Sequence, residues 1–144
     1  MPTVWTIGYE QTTMAAFLAA LQGAGVELVA DVRAIAASRR PGFSKTALAA
    51  NLAEAGIGYR HFRALGTPAD GRAAARALDR RKLERVYSGQ LELPEAMAAG
   101  AELADLVKER RVALLCYERA PGCCHRTLLS QAVLPDCEVI DLFP

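Results

Sequence analysis

The chain is predicted to fold as a single α/β domain: an open, mainly parallel sheet of about five strands with helices on both faces. Three observations predict this. Short apolar runs alternate with segments of helical periodicity along the whole chain. Two of those runs, Val26 to Arg33 and Val112 to Glu118, are almost continuously apolar, which suits strands covered on both faces. The length of 144 residues fits one domain, and no internal repeat, low-complexity tract or linker divides residues 1–144.

The elements follow in order. TVWTIG (Thr3 to Gly8) is a short apolar run ended by glycine, the first strand. Thr12 or Thr13 can cap a helix in which Met14, Phe17, Leu18 and Leu21 form one apolar stripe, stopped by Gly23 and Gly25. VELVADVR (Val26 to Arg33) is the second strand. A polar connection leads to Ser44, which caps a helix carrying Ala47, Leu48 and Leu52, closed by Gly56. IGYRHF is a weaker third strand. Pro68 to Arg111 reads as two helices: an arginine-rich one from Gly71 to Val86, then an apolar-faced one with Pro94 in its first turn. VALLCYE (Val112 to Glu118) is the fourth strand. A loop and a helix with Leu128, Leu129, Ala132 and Val133 follow, and EVIDLF (Glu138 to Phe143) is the last strand. Strand–helix alternation implies right-handed crossovers and a parallel sheet.

Composition narrows the function classes. Seventeen basic residues nearly balance sixteen acidic ones, so global charge does not support bulk binding to nucleic acid or anionic membranes. No apolar run approaches the ~20 residues of a membrane helix, and the first residues lack a signal-peptide pattern. The expectation is a cytoplasmic protein without a membrane partner, its four cysteines reduced and not a disulfide framework. Nothing in the sequence implies a cofactor or fixes an oligomeric state.

Open parallel sheets bind ligands outside the carboxyl ends of their strands. The side chains leaving those ends are Tyr9 and Glu10, then Asp31, Arg33, Ser38, Arg39 and Arg40, then His61 and Arg63, then Cys116, Glu118, Cys124, His125 and Arg126. Reactive groups therefore converge on one edge. Asp31 and Arg33 point to one face of their strand, as a site pair or as an internal ion pair that orders the loop. Arg33, Arg39 and Arg126 are candidates for an anion clamp, with Tyr9 and Ser38 as hydrogen-bonding neighbours. Arg40 is expected to be a solvated loop charge.

Cys124, at a predicted helix start beside Arg126, is a candidate thiolate, and Cys116 is a second candidate thiol. Glu118, His125 or Asp31 would move protons. Any single cysteine is more simply a small apolar plug of a turn; the cluster favours chemistry. The same cluster, Cys116, Cys123, Cys124 and His125, lacks the paired spacings of structural zinc sites, so no metal ligand is assigned. A phosphatase loop fails too, because the sixth residue after Cys116 is Gly122 instead of arginine. Cys137 is expected to be a buried or incidental thiol. Arg72, Arg76 and Arg80, at helical spacing, form a basic stripe that is either a solvated face or a contact for nucleic-acid backbone.

The segments Thr6-Ile7-Gly8-Tyr9, Asp31-Val32-Arg33 with Ser38, Arg39 and Phe43, Gly56-Ile57 with Tyr59, Leu65-Gly66, Leu114-Leu115-Cys116 with Glu118, and Cys124-His125-Arg126 together resemble the domain-of-unknown-function 488 family. The resemblance runs nearly end to end. It departs from the family pattern at Tyr9, often histidine, at Ala36, often proline, and at Thr67, often glycine. The resemblance implies an α/β fold and marks the strand-end residues, without supplying an activity. The function expected is a small enzyme acting on an anionic substrate, bearing phosphate or carboxylate and nucleotide-like in the narrower form. Competing readings are a non-catalytic nucleic-acid or phospholigand module and, more weakly, a structural metal-binding domain.

Overall fold

The computed structural model of the protein describes residues 1–119 and 125–144. Five strands form one sheet: β1 (Thr3–Gly8), β2 (Leu28–Asp31), β3 (Gly58–His61), β4 (Val112–Cys116) and β5 (Glu138–Leu142). Their order is β3-β2-β4-β1-β5, and every pairing is parallel. The α/β architecture with helices on both faces is therefore the one the alternation of elements implied.

The period-two alternation of the strands sorts the core into two layers. Trp5, Ile7, Val29, Ala113 and Leu115 face α1 (Met14–Gly23) and α2 (Lys45–Glu54), meeting Phe17, Leu21, Leu48 and Leu52. Val4, Leu28, Ala30, Leu114 and Cys116 face the other helices. There they pack with Tyr87 of α4 (Arg80–Leu91), Leu103 and Val107 of α5 (Pro94–Glu109), and Leu129 of α6 (His125–Val133). α1 starts at Thr13, whose side chain accepts a hydrogen bond from Ala16 N. α2 begins after Ser44 and is followed by Gly56 in the left-handed conformation, φ 77°.

β1 and β4 are neighbours whose following helices lie on opposite faces of the sheet. The chain leaves β1 by α1 toward β2 and leaves β4 by α6 toward β5. That divergence opens a crevice at their carboxyl ends, where open α/β sheets take ligands.

One expectation fails in the arginine-rich segment. It is two helices, α3 (Ala69–Arg76) and α4, so three helices span the region in place of two. Leu78 turns the chain with a left-handed φ of 56°, and Asp79 caps α4 by accepting from Lys82 N. Arg72 and Arg76 thus stand on α3 and Arg80 on α4, where it pairs with Glu84. The single three-arginine stripe does not exist. β4 is also shorter than its apolar run, because Tyr117 leaves the ladder to accept a hydrogen bond from Glu10 N. Among the described residues no helix is long and apolar enough to cross a membrane.

Two glycines close the sheet edge. A Cβ on Gly8 would lie 1.8 Å from the carbonyl oxygen of Glu118, and one on Gly66 would lie 2.2 Å from Ala34 N. Both contacts are with backbone, so neither can be relieved by a rotamer change. Gly8→Ala and Gly66→Ala should each destabilise the fold by at least ~1–3 kcal/mol. Urea unfolding would check this, with Gly23→Ala, whose Cβ meets nothing within 4 Å, as the neutral control.

Candidate functional site

A cavity of about 650 Å³ opens at the carboxyl ends of β1, β2 and β4, with α3 as its outer wall. Tyr9 and Glu10 enter from the end of β1, Arg33 and Ile35 from the loop after β2, and Cys116, Tyr117 and Glu118 from the end of β4. Arg72 and Arg76 come from α3, and His125 opens α6.

The β2 end is organised by a buried ion pair. Asp31 is fully buried and takes Arg33 in a fork: Oδ1 accepts from Nε at 2.8 Å, Oδ2 from Nη2 at 2.7 Å. The Arg33 backbone N–H and the Tyr59 hydroxyl complete the shell of the carboxylate. Arg33 Nη1 donates to Phe43 O and to the Tyr9 hydroxyl. Burial alone would lower the Arg33 pKa, but the Asp31 carboxylate outweighs it and holds the guanidinium charged. Burial, then the adjacent Asp31, pushes Tyr59 well above the ordinary phenol range. Tyr9 stacks on Phe43 and meets Tyr117 edge-on.

At the β4 end burial works against the charged form of each ionisable group. Glu118 Oε2 lies 3.0 Å from Cys116 Sγ. Cys116 is disulfide-bonded, which corrects the reduced thiol expected there. Its sulfur has no proton to donate, and the contact is a hydrogen bond only when the carboxyl is protonated. Burial raises the Glu118 pKa in the same sense, opposed by its own backbone hydrogen bond and the charges of Arg126 and Arg76. His125 is buried, and desolvation pulls its pKa down to about 4. Its Nε2 donates to Val32 O at 2.6 Å, since a carbonyl can only accept. Arg126 is fully buried; Nη2 donates to Glu118 O, while Nε and Nη1 have no hydrogen-bond partner among the described residues. Desolvation lowers its pKa to about 10, with Glu118 and Asp141 opposing.

Of the residues expected at the site, Tyr9, Arg33, Cys116, Glu118 and His125 line the cavity. Asp31 stands in the layer behind Arg33, and Arg126 holds the Glu118 carbonyl without lining the cavity. Arg39 is exposed and Ser38 bonds within its own loop, accepting from Arg40 N; neither lines the cavity. Cys123 and Cys124 lie outside the described residues. Cys137 is free and half-buried, and burial pushes its thiol up. Arg40 is not a solvated charge: it is half-buried, donates to Thr12 O, and its Nε is buried without a partner. Arg72, Arg76, Ile35 and Leu78 were not expected here. Among the described residues no three His, Cys, Asp or Glu side chains are grouped so as to hold a metal ion.

Two pH dependences follow with opposite signs. The His125 pKa of about 4 lies below the unfolded value of ~6.5, so the unfolded chain takes up the proton first. Stability is complete above ~6.5 and should fall by on the order of 3 kcal/mol as the pH drops to about 4. Urea unfolding across that range should show the slope, and His125→Gln should flatten it. Glu118 runs the other way: its raised folded pKa gives stability at pH below the ordinary carboxylate range, lost as pH rises through the folded value. Glu118→Gln should be less pH-sensitive than wild type over that rise, as read from melting temperatures.

No curated relative and no solved structure matches the chain. A family model does match, over residues 13–133, from the cap of α1 through the end of α6. That span contains every cavity-lining residue except Tyr9 and Glu10. The chain belongs to the family described as domain of unknown function DUF488.

Proposed function

We propose that the protein is a small enzyme whose substrate is an anionic small molecule, bearing phosphate or carboxylate, bound in the cavity at the carboxyl ends of β1, β2 and β4. The observation that carries this reading is the convergence of Arg33, Arg72 and Arg76 around a cavity that also holds the Glu118 carboxyl. Its volume, about 650 Å³, is that of small-molecule sites.

The roles divide by charge. Arg33 is already met by Asp31, so it offers a fixed guanidinium surface without much net field. Arg72 and Arg76 supply the attraction; Arg72 spends one donor on Thr67 O, and Arg76 is exposed. Arg126 adds a buried positive charge behind Glu118. Glu118, biased toward its protonated form, is the general acid. His125 contributes a neutral ring whose Nε2–H is committed to Val32 O. Cys116 becomes a nucleophile only after its disulfide is reduced, and the Glu118 carboxyl then lies 3.0 Å from its sulfur. A cytoplasmic setting would supply that reduction. Cys124 remains the other thiol proposed for this role.

Binding of nucleic acid is less well supported, because Arg80 stands on a different helix from Arg72 and Arg76. Calorimetric titration with inorganic phosphate tests the main reading. Binding should weaken as salt rises and fall about tenfold or more in the double variant Arg72→Ala, Arg76→Ala, while Arg80→Ala leaves it unchanged. Equal affinity in all three proteins would remove the cavity as the anion site. For the catalytic part, wild type and Glu118→Gln are incubated with a mixture of small phosphorylated and carboxylated metabolites. Mass spectrometry should find a compound consumed by the first and spared by the second.

A further inference from the structure

We propose that the ligand of this cavity has two parts: an oxyanion joined to a flat apolar ring system, as in an aryl phosphate or a nucleotide. The proposal rests on the anion-site reading above and adds what the rest of the ligand must be. Its basis is the rim. Among the described residues nine large apolar side chains stand exposed, and three of them, Ile35, Leu78 and Tyr117, line this one cavity. They are 59%, 73% and 46% exposed and come from three separate segments: the loop after β2, the turn between α3 and α4, and the end of β4.

Leu78 is the most telling. Its φ of 56° is left-handed, a conformation that favours glycine or asparagine, and its side chain is the most exposed of the three. Neither the backbone nor the core accounts for a leucine there. A ligand with an apolar body does, because binding would remove that surface from water. Tyr117 meets Tyr9 edge-on at 5.3 Å, which fixes its ring at the rim.

Charge sets the orientation. Arg72 and Arg76 lie on α3, which ends two residues before Leu78. Glu10 and Glu118 line the opposite, β1–β4 side, and Glu10 is held there by Arg119 N–H. The Glu10 carboxylate disfavours an anion on that side and leaves α3 as its seat. A bare oxyanion or a sugar phosphate would use the arginines and leave the apolar rim wet; a ring joined to the anion covers both.

Calorimetric titrations at fixed ionic strength with inorganic phosphate, naphthyl phosphate and adenosine monophosphate test this. At least one ring-bearing ligand should bind about tenfold or more tightly than inorganic phosphate. The ring that gains more identifies the source, aromatic ester or nucleotide. Leu78→Gly removes the side chain while suiting the backbone, so its melting temperature should hold or rise. That variant should lose most of the ring's advantage and keep its phosphate affinity within about twofold. Ring-bearing ligands no tighter than phosphate, or an advantage untouched by Leu78→Gly, would overturn the two-part ligand and leave the anion site standing. Absence of binding by all three would overturn both.

Discussion

The Asp31–Arg33 pair is the constraint on which the sheet edge depends. Asp31 has no contact with solvent, and a buried carboxylate is costly unless its lone pairs are filled. Here they are filled from three directions: the Arg33 guanidinium, the Arg33 backbone and the Tyr59 hydroxyl of β3. Arg33 in turn reaches Phe43 in the following loop and Tyr9 beyond β1. One ion pair thus ties the ends of three strands and the loop before α2. Such a pair contributes little net stability, because desolvation offsets most of its attraction, but it leaves few alternatives for the segments it joins. It also sets the electrostatics of the cavity. With Arg33 neutralised from behind, net positive charge at the wall comes from α3.

The chain just beyond β2 is fixed by its backbone as well. Val32 O and Arg33 O accept from imidazole Nε2 atoms, of His125 at 2.6 Å and His61 at 2.7 Å. Each histidine is locked in the Nε2–H tautomer by a carbonyl that cannot donate. For His125 this agrees with the depressed pKa: a ring packed on Tyr87 and closed off from water stays neutral. Glu118 responds to burial in the opposite formal direction and also tends to the neutral form. Among the described residues the buried side-chain nitrogens without a hydrogen-bond partner, Arg126 Nε and Nη1 and Arg40 Nε, are all guanidinium nitrogens. Each unpaired buried donor of this kind costs ~1–3 kcal/mol.

How far the sequence announced this depends on the physics of each feature. The parallel sheet was legible because burial on both faces demands continuous apolar runs, and Val112 to Glu118 shows one. The Asp31–Arg33 pair was legible because residues two apart on a strand share a face. Gly8 was legible as the end of the first strand and Gly66 as a glycine of a family pattern; the reason for both, backbone of a distant segment within Cβ distance, is tertiary. Arg39 and Ser38 stand apart from the cavity for the converse reason. A position near a strand end does not fix where a loop side chain points, and this loop turns Ser38 into its own hydrogen bonds. The state of Cys116 could not be read either, because cysteine spacing along a chain does not determine which sulfurs meet.

The break between α3 and α4 shows most directly how local chemistry decides the site. Arg72, Arg76 and Arg80 have the spacing of one helix face, and helix periodicity alone favours a continuous stripe. Against it stand Leu78 in a left-handed turn and Asp79, whose side chain serves the N–H of Lys82 better as a cap than in a helix interior. A left-handed leucine costs ~1–2 kcal/mol, so the turn persists only because the two flanking helices over-determine it. Leu83 and Tyr87 of α4 are buried, and the Tyr87 hydroxyl donates to Leu65 O at 2.7 Å, which anchors α4 to the core. Gly71 and Ala74 bury the inner face of α3. With both helices held by their own cores, the junction must bend, and the bend turns Arg72 and Arg76 toward the cavity while Arg80 pairs outward with Glu84. A basic stripe is thereby converted into one wall of a pocket with an apolar residue at its end.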